Sequence, residues 1–278
     1  MIIKCITLVI LLTSVGSLQA ARYITLSPHL TEILFDLNVG DEIVATVEHS
    51  DYPERAKSIA IIGNHQSLNI EAIVALEPDV VFAWSDGNPG LQLQRLTDLG
   101  IKIFYSAPND LNALMAEINA IGDLVNQSSR AQFITQQMAK QINSISANYE
   151  NSAPLNVFYQ IWHQPLRALG SDAWLNDLLA RCGAKNIFAH LPQAYPQVSI
   201  EVVIEKQPDV IIMPQSNKLN AEQELWQNWP MLKAVKNNHI VAINADWLHR
   251  FTGRSIRGLT SLCESLDALR IITKEKTQ

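Results

Sequence analysis

The sequence predicts an α/β protein of two lobes, each a mostly parallel sheet flanked by helices, joined by one long linking helix. Strand-like and helix-like runs alternate along the whole chain, which is typical of parallel sheets. A helix–Pro–Asp–strand unit occurs twice, at residues 69–81 and again 130 residues later. Between the two copies, residues 128–149 have a helical pattern without glycine or proline.

The linking helix is the clearest single element of the sequence. Residues 128–149 read SSRAQFITQQMAKQINSISANY, and Ser128 or Ser129 can cap the start. The pattern predicts one helix of about 20 residues, roughly 30 Å long at 1.5 Å per residue. Its apolar residues recur at helical spacing and are Phe133, Ile134, Met138, Ile142 and Ile145.

The repeated unit predicts that the two lobes resemble each other. Each copy, 69–81 and 199–211, has a capping residue two positions before a glutamate, then an apolar helix, Pro–Asp and a β-branched strand. Because the copies lie on opposite sides of the linking helix, each belongs to a different lobe. Coincidence is the alternative, since this order of elements is common in α/β proteins.

The N-terminal residues 1–20 are typical of a secretory signal peptide, with Lys4 before a short apolar run. The predicted domains are then residues 21–127, 128–149 and 150–278. The formal charge is −6, or −7 without Lys4, and the chain has no basic run. This charge argues against a nucleic-acid partner, and no later apolar run is long enough for a membrane span.

The other elements follow from apolar runs and the residues that end them. We expect strands at 23–26, 43–47, 80–83 and 101–105 and helices at 31–37, 91–99 and 111–125 in the first lobe. In the second lobe we expect strands at 156–161, 210–213 and 239–244, helices at 174–182 and 255–272, a short helix within 226–234, and loops at 162–167 and 246–250.

Two cysteines remain after removal of the signal, Cys182 and Cys263. An even pair in an exported protein most often forms a disulfide. This bond would close a loop of about 80 residues and stabilise the fold by about 4 kcal/mol. The alternative is two buried free thiols.

The candidate binding residues follow the predicted strands, because open α/β sheets bind ligands at the carboxyl ends of their strands. The set is rich in aromatic rings and imidazoles, which suits a large, flat, apolar ligand with polar edges. The residues are Ser27, Pro28, His49, His65 and Trp84 in the first lobe and Trp162, His163, Arg167, Tyr195, Asp246, Trp247, Leu248, His249 and Arg250 in the second.

Several of these residues also have a purely structural interpretation. Trp84 could fill a gap under a loop, and Trp247 could belong to the core behind its loop. His49 and His65 could be exposed loop residues, and Arg250 could be solvated. His190 and His239 are assigned to structural roles, since neither closely follows a strand.

Catalytic motifs are missing from the sequence. It contains no GxSxG, HExxH or CxxC pattern and no glycine-rich phosphate loop, so no catalytic residue is predicted. A zinc site needs three or four ligands, which His49, His65, His163 and His249 could supply. Nothing in their spacing requires it, so no metal site is predicted.

Glu71 and Glu201 occupy matching positions in the first turn of the two repeated helices. The structural interpretation is stabilisation of the helix dipole by an N-terminal carboxylate. The functional interpretation is a pair of acidic contacts, one on each lobe, for a symmetric basic partner.

Taken together, these segments resemble the periplasmic binding proteins whose two lobes are joined by one long helix, and most of all their cobalamin-binding members. The resemblance covers nearly the whole chain after residue 20. It is carried by residues 24–28, 50–53 and 69–79, Ala83–Trp84 with Gly87–Asn88, Cys182–Gly183 with residues 186–188, residues 196–199, and Asp246–Trp247 with Arg250.

The resemblance implies a periplasmic, monomeric receptor without enzymatic activity or cofactor, which delivers cobalamin (vitamin B12) to an ABC transporter. It implies that Trp84, Tyr195 and Arg250 contact the corrin between the lobes and that Cys182 and Cys263 form a disulfide. It further implies that Glu71 and Glu201 pair with arginines of the two permease subunits in the inner membrane.

Three positions depart from the cobalamin-binding pattern. His49 stands where a tyrosine is expected, His65 where a tryptophan is expected, and Arg167 near an expected aromatic residue. Because haem iron favours histidine, a haem or ferric-siderophore receptor of the same family remains an alternative. An exported, metal-dependent α/β enzyme is a second alternative.

Overall fold

The computed structural model describes residues 20–215 and 225–275, with side chains described for most of them. The predicted signal peptide, residues 1–20, therefore lies outside the described residues except for Ala20. Two sheets of mostly parallel strands, both flanked by helices, confirm the predicted α/β class and the two-lobe arrangement.

The N-terminal lobe contains a four-stranded parallel sheet in the order β2-β1-β3-β4. Its helices begin where the sequence supplies start signals: Pro28 is the first residue of α1, and the side chains of Asn69 and Asp110 cap α2 and α4. The elements are β1 (Tyr23–Thr25), α1 (Pro28–Asp36), β2 (Ile43–Ala45), α2 (Ile70–Ala75), β3 (Val80–Trp84), α3 (Gly90–Asp98), β4 (Ile103–Ser106) and α4 (Leu111–Leu124).

One helix, α5 (Ser128–Tyr149), connects the two sheets along the chain. At 1.5 Å per residue it is about 33 Å long. One face is buried through Ala131, Thr135, Met138 and Ile142. Met138 and Ile142 belong to a hydrophobic cluster that includes buried residues of both lobes, so α5 packs into a core that the lobes share.

The C-terminal lobe contains a five-stranded sheet in the order β6-β5-β8-β9, with β7 also paired to β5. All these pairs are parallel except β5 with β6. The elements are β5 (Leu155–His163), β6 (Leu166–Ala168), α6 (Ala173–Arg181), β7 (Ala184–Asn186), α7 (Ile200–Lys206), β8 (Val210–Gln215), α8 (Lys233–Lys236), β9 (Ile240–Asn244), α9 (Ala245–His249) and α10 (Ser255–Glu275).

The Cys182–Cys263 disulfide is present, which confirms that prediction. It joins the residue after α6 to the middle of α10, and both cysteines are fully buried. The bond therefore ties the last helix of the chain to the core of the C-terminal lobe.

Two segments that were predicted to be loops, residues 162–167 and 246–250, have regular secondary structure instead, so both predictions were wrong. Residues 162–167 form the end of an antiparallel hairpin, in which Trp162 pairs with Arg167 and His163 with Leu166. Residues 246–250 lie almost entirely in α9, where the Asn244 side chain accepts a hydrogen bond from the Asp246 backbone nitrogen. Both segments are short, so their periodicity is too weak to reveal them.

Candidate ligand-binding site

A cavity of about 220 Å³ lies between the lobes. The N-terminal lobe contributes Trp84, the last residue of β3, and the C-terminal lobe contributes the remaining walls. Most of the lining is apolar or aromatic, with a few polar groups, as is usual for small-molecule sites. The lining residues are Trp84, Ile161, Asp172, Trp174, Leu175, Tyr195, His249 and Phe251.

Aromatic rings from both lobes meet at this cavity. The ring centre of Phe251 lies 5.8 Å from Trp84, 5.2 Å from His29 and 4.8 Å from Trp174, in edge-to-face geometry each time. Such pairs are favourable because the positive edge of one ring meets the negative face of the other. We call His29, Trp84, Trp174 and Phe251 the aromatic floor, and it is a direct contact between the lobes.

Trp84 is held in place by the turn that follows it. The Asn88 side chain accepts a hydrogen bond from the Trp84 backbone nitrogen at 2.7 Å and donates one to the Leu26 carbonyl at 2.8 Å. The indole ring lies so close to Gly87 that a Cβ atom there would be 1.8 Å from Trp84 Cε3. Only glycine leaves room for the ring in this position.

His29, a member of the aromatic floor, is also the buried centre of a chain of polar side chains. Its Nδ1 lies 2.7 Å from Ser27 Oγ and its Nε2 lies 3.0 Å from Ser106 Oγ. Ser106 in turn donates to Glu117 Oε1 at 2.6 Å. Burial, assisted by the positive charge of Arg250, lowers the pKa of His29 to about 3, so the ring is neutral at pH 7.

The C-terminal wall is held by two hydrogen bonds between side chains. Tyr159 Oη lies 2.8 Å from His249 Nε2, and Tyr195 Oη donates to Asp172 Oδ2 at 2.7 Å. Burial lowers the pKa of His249, against the opposing effects of Asp172 and Asp246. His249 is therefore a neutral imidazole at pH 7 on the wall of the cavity.

Beside the cavity, charged side chains cross from one lobe to the other. Glu32 of α1 accepts hydrogen bonds from Arg254 at 2.5 and 2.8 Å and from Arg250 at 3.0 Å. Arg250 also contacts Asp51 at 2.9 Å and Asp246 at 3.1 Å. We call these five residues the arginine clasp.

The burial of the arginine clasp is uneven. The Glu32 side chain is 2% exposed and that of Arg250 14%, whereas Asp51 and Asp246 are about half exposed. Burial disfavours the charged guanidinium, but hydrogen bonds to Asp51 and Glu32 outweigh it and raise the pKa of Arg250. The clasp thus pairs both arginines with carboxylates.

The structure brings only part of the predicted site together. Trp84, Tyr195 and His249 line the cavity, and Arg250 lies beside it in the arginine clasp with Asp246. Arg167 is exposed and donates to the Tyr195 carbonyl at 3.1 Å. The other predicted residues do not line the cavity. Pro28 is the first residue of α1, and His49 and His65 are exposed in loops. The Arg257 guanidinium lies over the Trp247 ring, and the Leu248 side chain is fully buried in the core.

Five cavity-lining residues were not predicted from the sequence: Asp172, Trp174, Leu175, Phe251 and Ile161. The first three follow β6, a strand that was predicted to be a loop, so the rule about strand ends could not find them. Phe251 directly follows Arg250 and could have been included with its neighbours. His29 directly follows Pro28 after β1 and could likewise have been included with its neighbours.

Glu71 and Glu201 lie in the first turns of α2 and α7, and both side chains are exposed. A hydrogen bond from Ser199 lowers the pKa of Glu201. Both glutamates are therefore accessible to solvent or to a partner.

Within residues 20–215 and 225–275, no three His, Cys, Asp or Glu side chains are grouped as metal ligands usually are. In the same part of the chain, no helix has the length and apolar character that crossing a membrane requires.

Comparison with known proteins identifies the family. Residues 24–247 match the periplasmic binding protein family. The vitamin B12-binding protein of Vibrio campbellii is 34% identical over 90% of this chain and 91% of its own, and that of Vibrio cholerae is 36% identical over 89% of each.

Solved structures agree with this result. The crystal structure of the periplasmic vitamin B12 binding protein BtuF of Vibrio cholerae matches with a TM-score of 0.85 and 36% identity, over 90% of this chain and 98% of the other. The periplasmic heme-binding protein RhuT of Roseiflexus matches with a TM-score of 0.80, over 90% and 99% of the two chains, but at 22% identity it shares the fold alone. The chain belongs to the periplasmic binding protein family.

Proposed function

We propose that this protein captures cobalamin between its lobes in the periplasm and delivers it to an ABC transporter. The observation that carries the proposal is the cavity between the lobes, lined by Trp84 on one side and by Tyr195 and His249 on the other. The names of relatives that are 34–36% identical over about nine-tenths of the chain support the same ligand.

The chemistry of the cavity suits a corrin. A corrin is a broad, mostly apolar ring with amide groups on its edge. Trp84 and Tyr195 offer flat apolar area, and Arg250 offers N–H donors that amide oxygens accept. The proposed ligand-binding set is completed by Pro28, His49, His65, Arg167, Asp246, Trp247 and Leu248.

The lobes must separate slightly to admit this ligand. The cavity of about 220 Å³ is smaller than typical ligand pockets of about 300–1,000 Å³. Because α5 is a continuous helix packed into a shared core, we expect a small rocking motion about it. Scattering curves of the free and bound protein should differ little, and a large difference would contradict a stiff connection.

A titration with cyanocobalamin tests the proposal. Isothermal calorimetry should show one-to-one binding, and Trp84→Ala should weaken it at least tenfold, since truncation of a buried aromatic contact costs about 2 kcal/mol or more. Trp229→Ala, away from this cavity, is the matched control. The absence of binding by the wild-type protein would refute the proposal.

Delivery to the transporter is proposed to use Glu71 and Glu201. Both carboxylates are exposed at equivalent places in the two lobes, which suits a partner with two equivalent basic sites. Glu71→Ala and Glu201→Ala should each reduce cobalamin uptake into transporter-containing vesicles by roughly tenfold, with unchanged cobalamin affinity.

Glu205→Ala is the control for this experiment, because Glu205 is also an exposed glutamate of α7. Uptake that falls equally in the control variant, or that persists in the double variant Glu71→Ala/Glu201→Ala, would contradict the docking role.

A haem receptor is the second candidate, and one observation favours it. His249 is a neutral imidazole on the cavity wall, and a neutral imidazole is the usual protein ligand of haem iron. Tight haemin binding with no calorimetric signal for cyanocobalamin would favour this candidate.

A further inference from the structure

The arginine clasp bears on which class of ligand the cleft accepts. Two arginines beside a binding cavity normally attract anions, because guanidinium groups match carboxylates and phosphates in shape and charge. Here the carboxylates of the protein itself already take that role. Arg254 uses Nε and Nη2 on Glu32, and Arg250 uses Nη1 on Glu32 and Asp51 and Nε on Asp246.

The carboxylates outnumber the arginines in this cluster. Glu32, Asp51 and Asp246 face Arg250 and Arg254, so the cluster carries a surplus of negative charge. The central carboxylate, Glu32, is almost fully buried, and interactions between buried charges are screened much less by salt than those between exposed charges. A ligand that displaced Glu32 would remove the carboxylate that pairs with the partly buried Arg254 and one of the three carboxylates that pair with Arg250.

The opposite side of the cavity also carries negative charge. Asp172 lines the cavity, where its carboxylate accepts the hydrogen bond from Tyr195. Asp86 of the N-terminal lobe is close enough to Tyr195 to contribute to the raised pKa of its hydroxyl, after burial and Asp172. A ligand carboxylate would therefore meet like charges on this side and neutralised arginines on the other.

We propose that Glu32, Asp51 and Asp246 determine which class of ligand binds in the cleft. Because these carboxylates neutralise Arg250 and Arg254, the cleft binds an uncharged or cationic ligand with amide groups on its edge and rejects anionic tetrapyrroles. A neutralised guanidinium still donates hydrogen bonds to amide oxygens but offers little net attraction to a carboxylate. This inference rests on the proposed function in that the ligand occupies the same cleft.

The test compares three probes on four proteins. Cyanocobalamin has no net charge, haemin carries two propionates, and haemin dimethyl ester has the same ring with both propionates neutralised. The proteins are the wild type, Glu32→Gln, Asp51→Asn and the control Glu54→Gln, which removes one charge from an exposed pair with Lys57 in the same lobe.

Haemin should bind the wild type more weakly than its dimethyl ester does. In Glu32→Gln the haemin affinity should rise about tenfold, since one opposing charge worth about 1.4 kcal/mol has been removed, and in Asp51→Asn it should rise several-fold. The dimethyl ester should show no such gain, and Glu54→Gln should behave as the wild type. The gain for haemin in Asp51→Asn should shrink at high salt, because the Asp51 carboxylate is half exposed.

Two results would overturn the inference. One is a wild-type protein that binds haemin more tightly than its dimethyl ester. The other is a ratio of haemin to ester affinity that stays unchanged in both variants. Asp51 is half exposed, so Asp51→Asn decides the question if Glu32→Gln does not fold, which a thermal melt reveals. Failure of cyanocobalamin to bind the wild type would refute the proposed function separately, because the haemin-to-ester comparison does not depend on it.

Discussion

The two lobes share one construction but differ in what they add to it. In both, the Asp of the repeated Pro–Asp step ties the repeated unit to the first strand of its lobe. Asp79 accepts a hydrogen bond from the Arg22 backbone nitrogen at 2.8 Å, and Asp209 accepts one from Asn156 at 2.8 Å. The repetition in the sequence thus reflects a repeated structural requirement and not coincidence.

The two lobes differ in the stabilising interactions and binding residues that they contain. The C-terminal lobe carries the disulfide and most of the cavity wall, including Tyr195 and Phe251. The N-terminal lobe instead carries the buried polar chain centred on His29 and the buried carboxylate of Glu32. Two lobes with equivalent sheets and helices can therefore have different stabilising interactions and contribute unequally to one binding site.

The largest expected effect concerns the disulfide of the C-terminal lobe. Cys182→Ala/Cys263→Ala should reduce the free energy of unfolding by about 4 kcal/mol, because the bond closes a long loop in the unfolded chain. Urea denaturation measures this loss, and amide hydrogen exchange locates it. We expect faster exchange in β5 and β8 with little change in β1 and β3. An equal change in both lobes would show that the shared core couples them into one cooperative unit.

The next effect belongs to the N-terminal lobe. His29 has a pKa of about 3 in the folded protein, against about 6.5 in the unfolded chain. The unfolded state therefore binds a proton first as the pH falls, so this contribution to stability is complete above pH 6.5 and is lost as the pH approaches 3. The loss should be about 2 kcal/mol between pH 7 and pH 5.

Denaturation at several pH values measures this dependence. His29→Gln should flatten the profile, whereas His190→Gln should not, because His190 is exposed in the other lobe. A profile that is unchanged in His29→Gln would mean that other groups cause the acid sensitivity.

The smallest effect concerns Trp84, which lines the cavity from the N-terminal lobe. Gly87→Ala should push the Trp84 ring away from its position and weaken cyanocobalamin binding about tenfold, roughly 1.4 kcal/mol. Gly90→Ala, three residues along the chain, is the control, because a Cβ there meets no atom within 4 Å. If both variants bind alike, the N-terminal lobe contributes less to recognition than the geometry indicates.

Local sequence patterns predicted most of the helices and strands and the disulfide. The capped apolar helices, the buried β-branched strands and the even pair of cysteines are properties of short stretches or simple counts, so they can be found without tertiary information. The hairpin of β5 and β6 was missed because Pro165 and the three-residue strand β6 give too short a pattern. That error also concealed Asp172 and Trp174, since their position depends on where β6 ends.

The sequence alone was sufficient to predict two α/β lobes and one linking helix. The signals were the alternation of helices and strands, the repeated unit and a long helical pattern without glycine. The site was decided by the packing of the lobes. Glu32 and Arg254 are separated by 222 residues, and Trp84 meets Phe251 from the other lobe. Such pairs form only when the lobes are placed against each other, and hydrophobic periodicity carries no information about which distant charges or rings will meet.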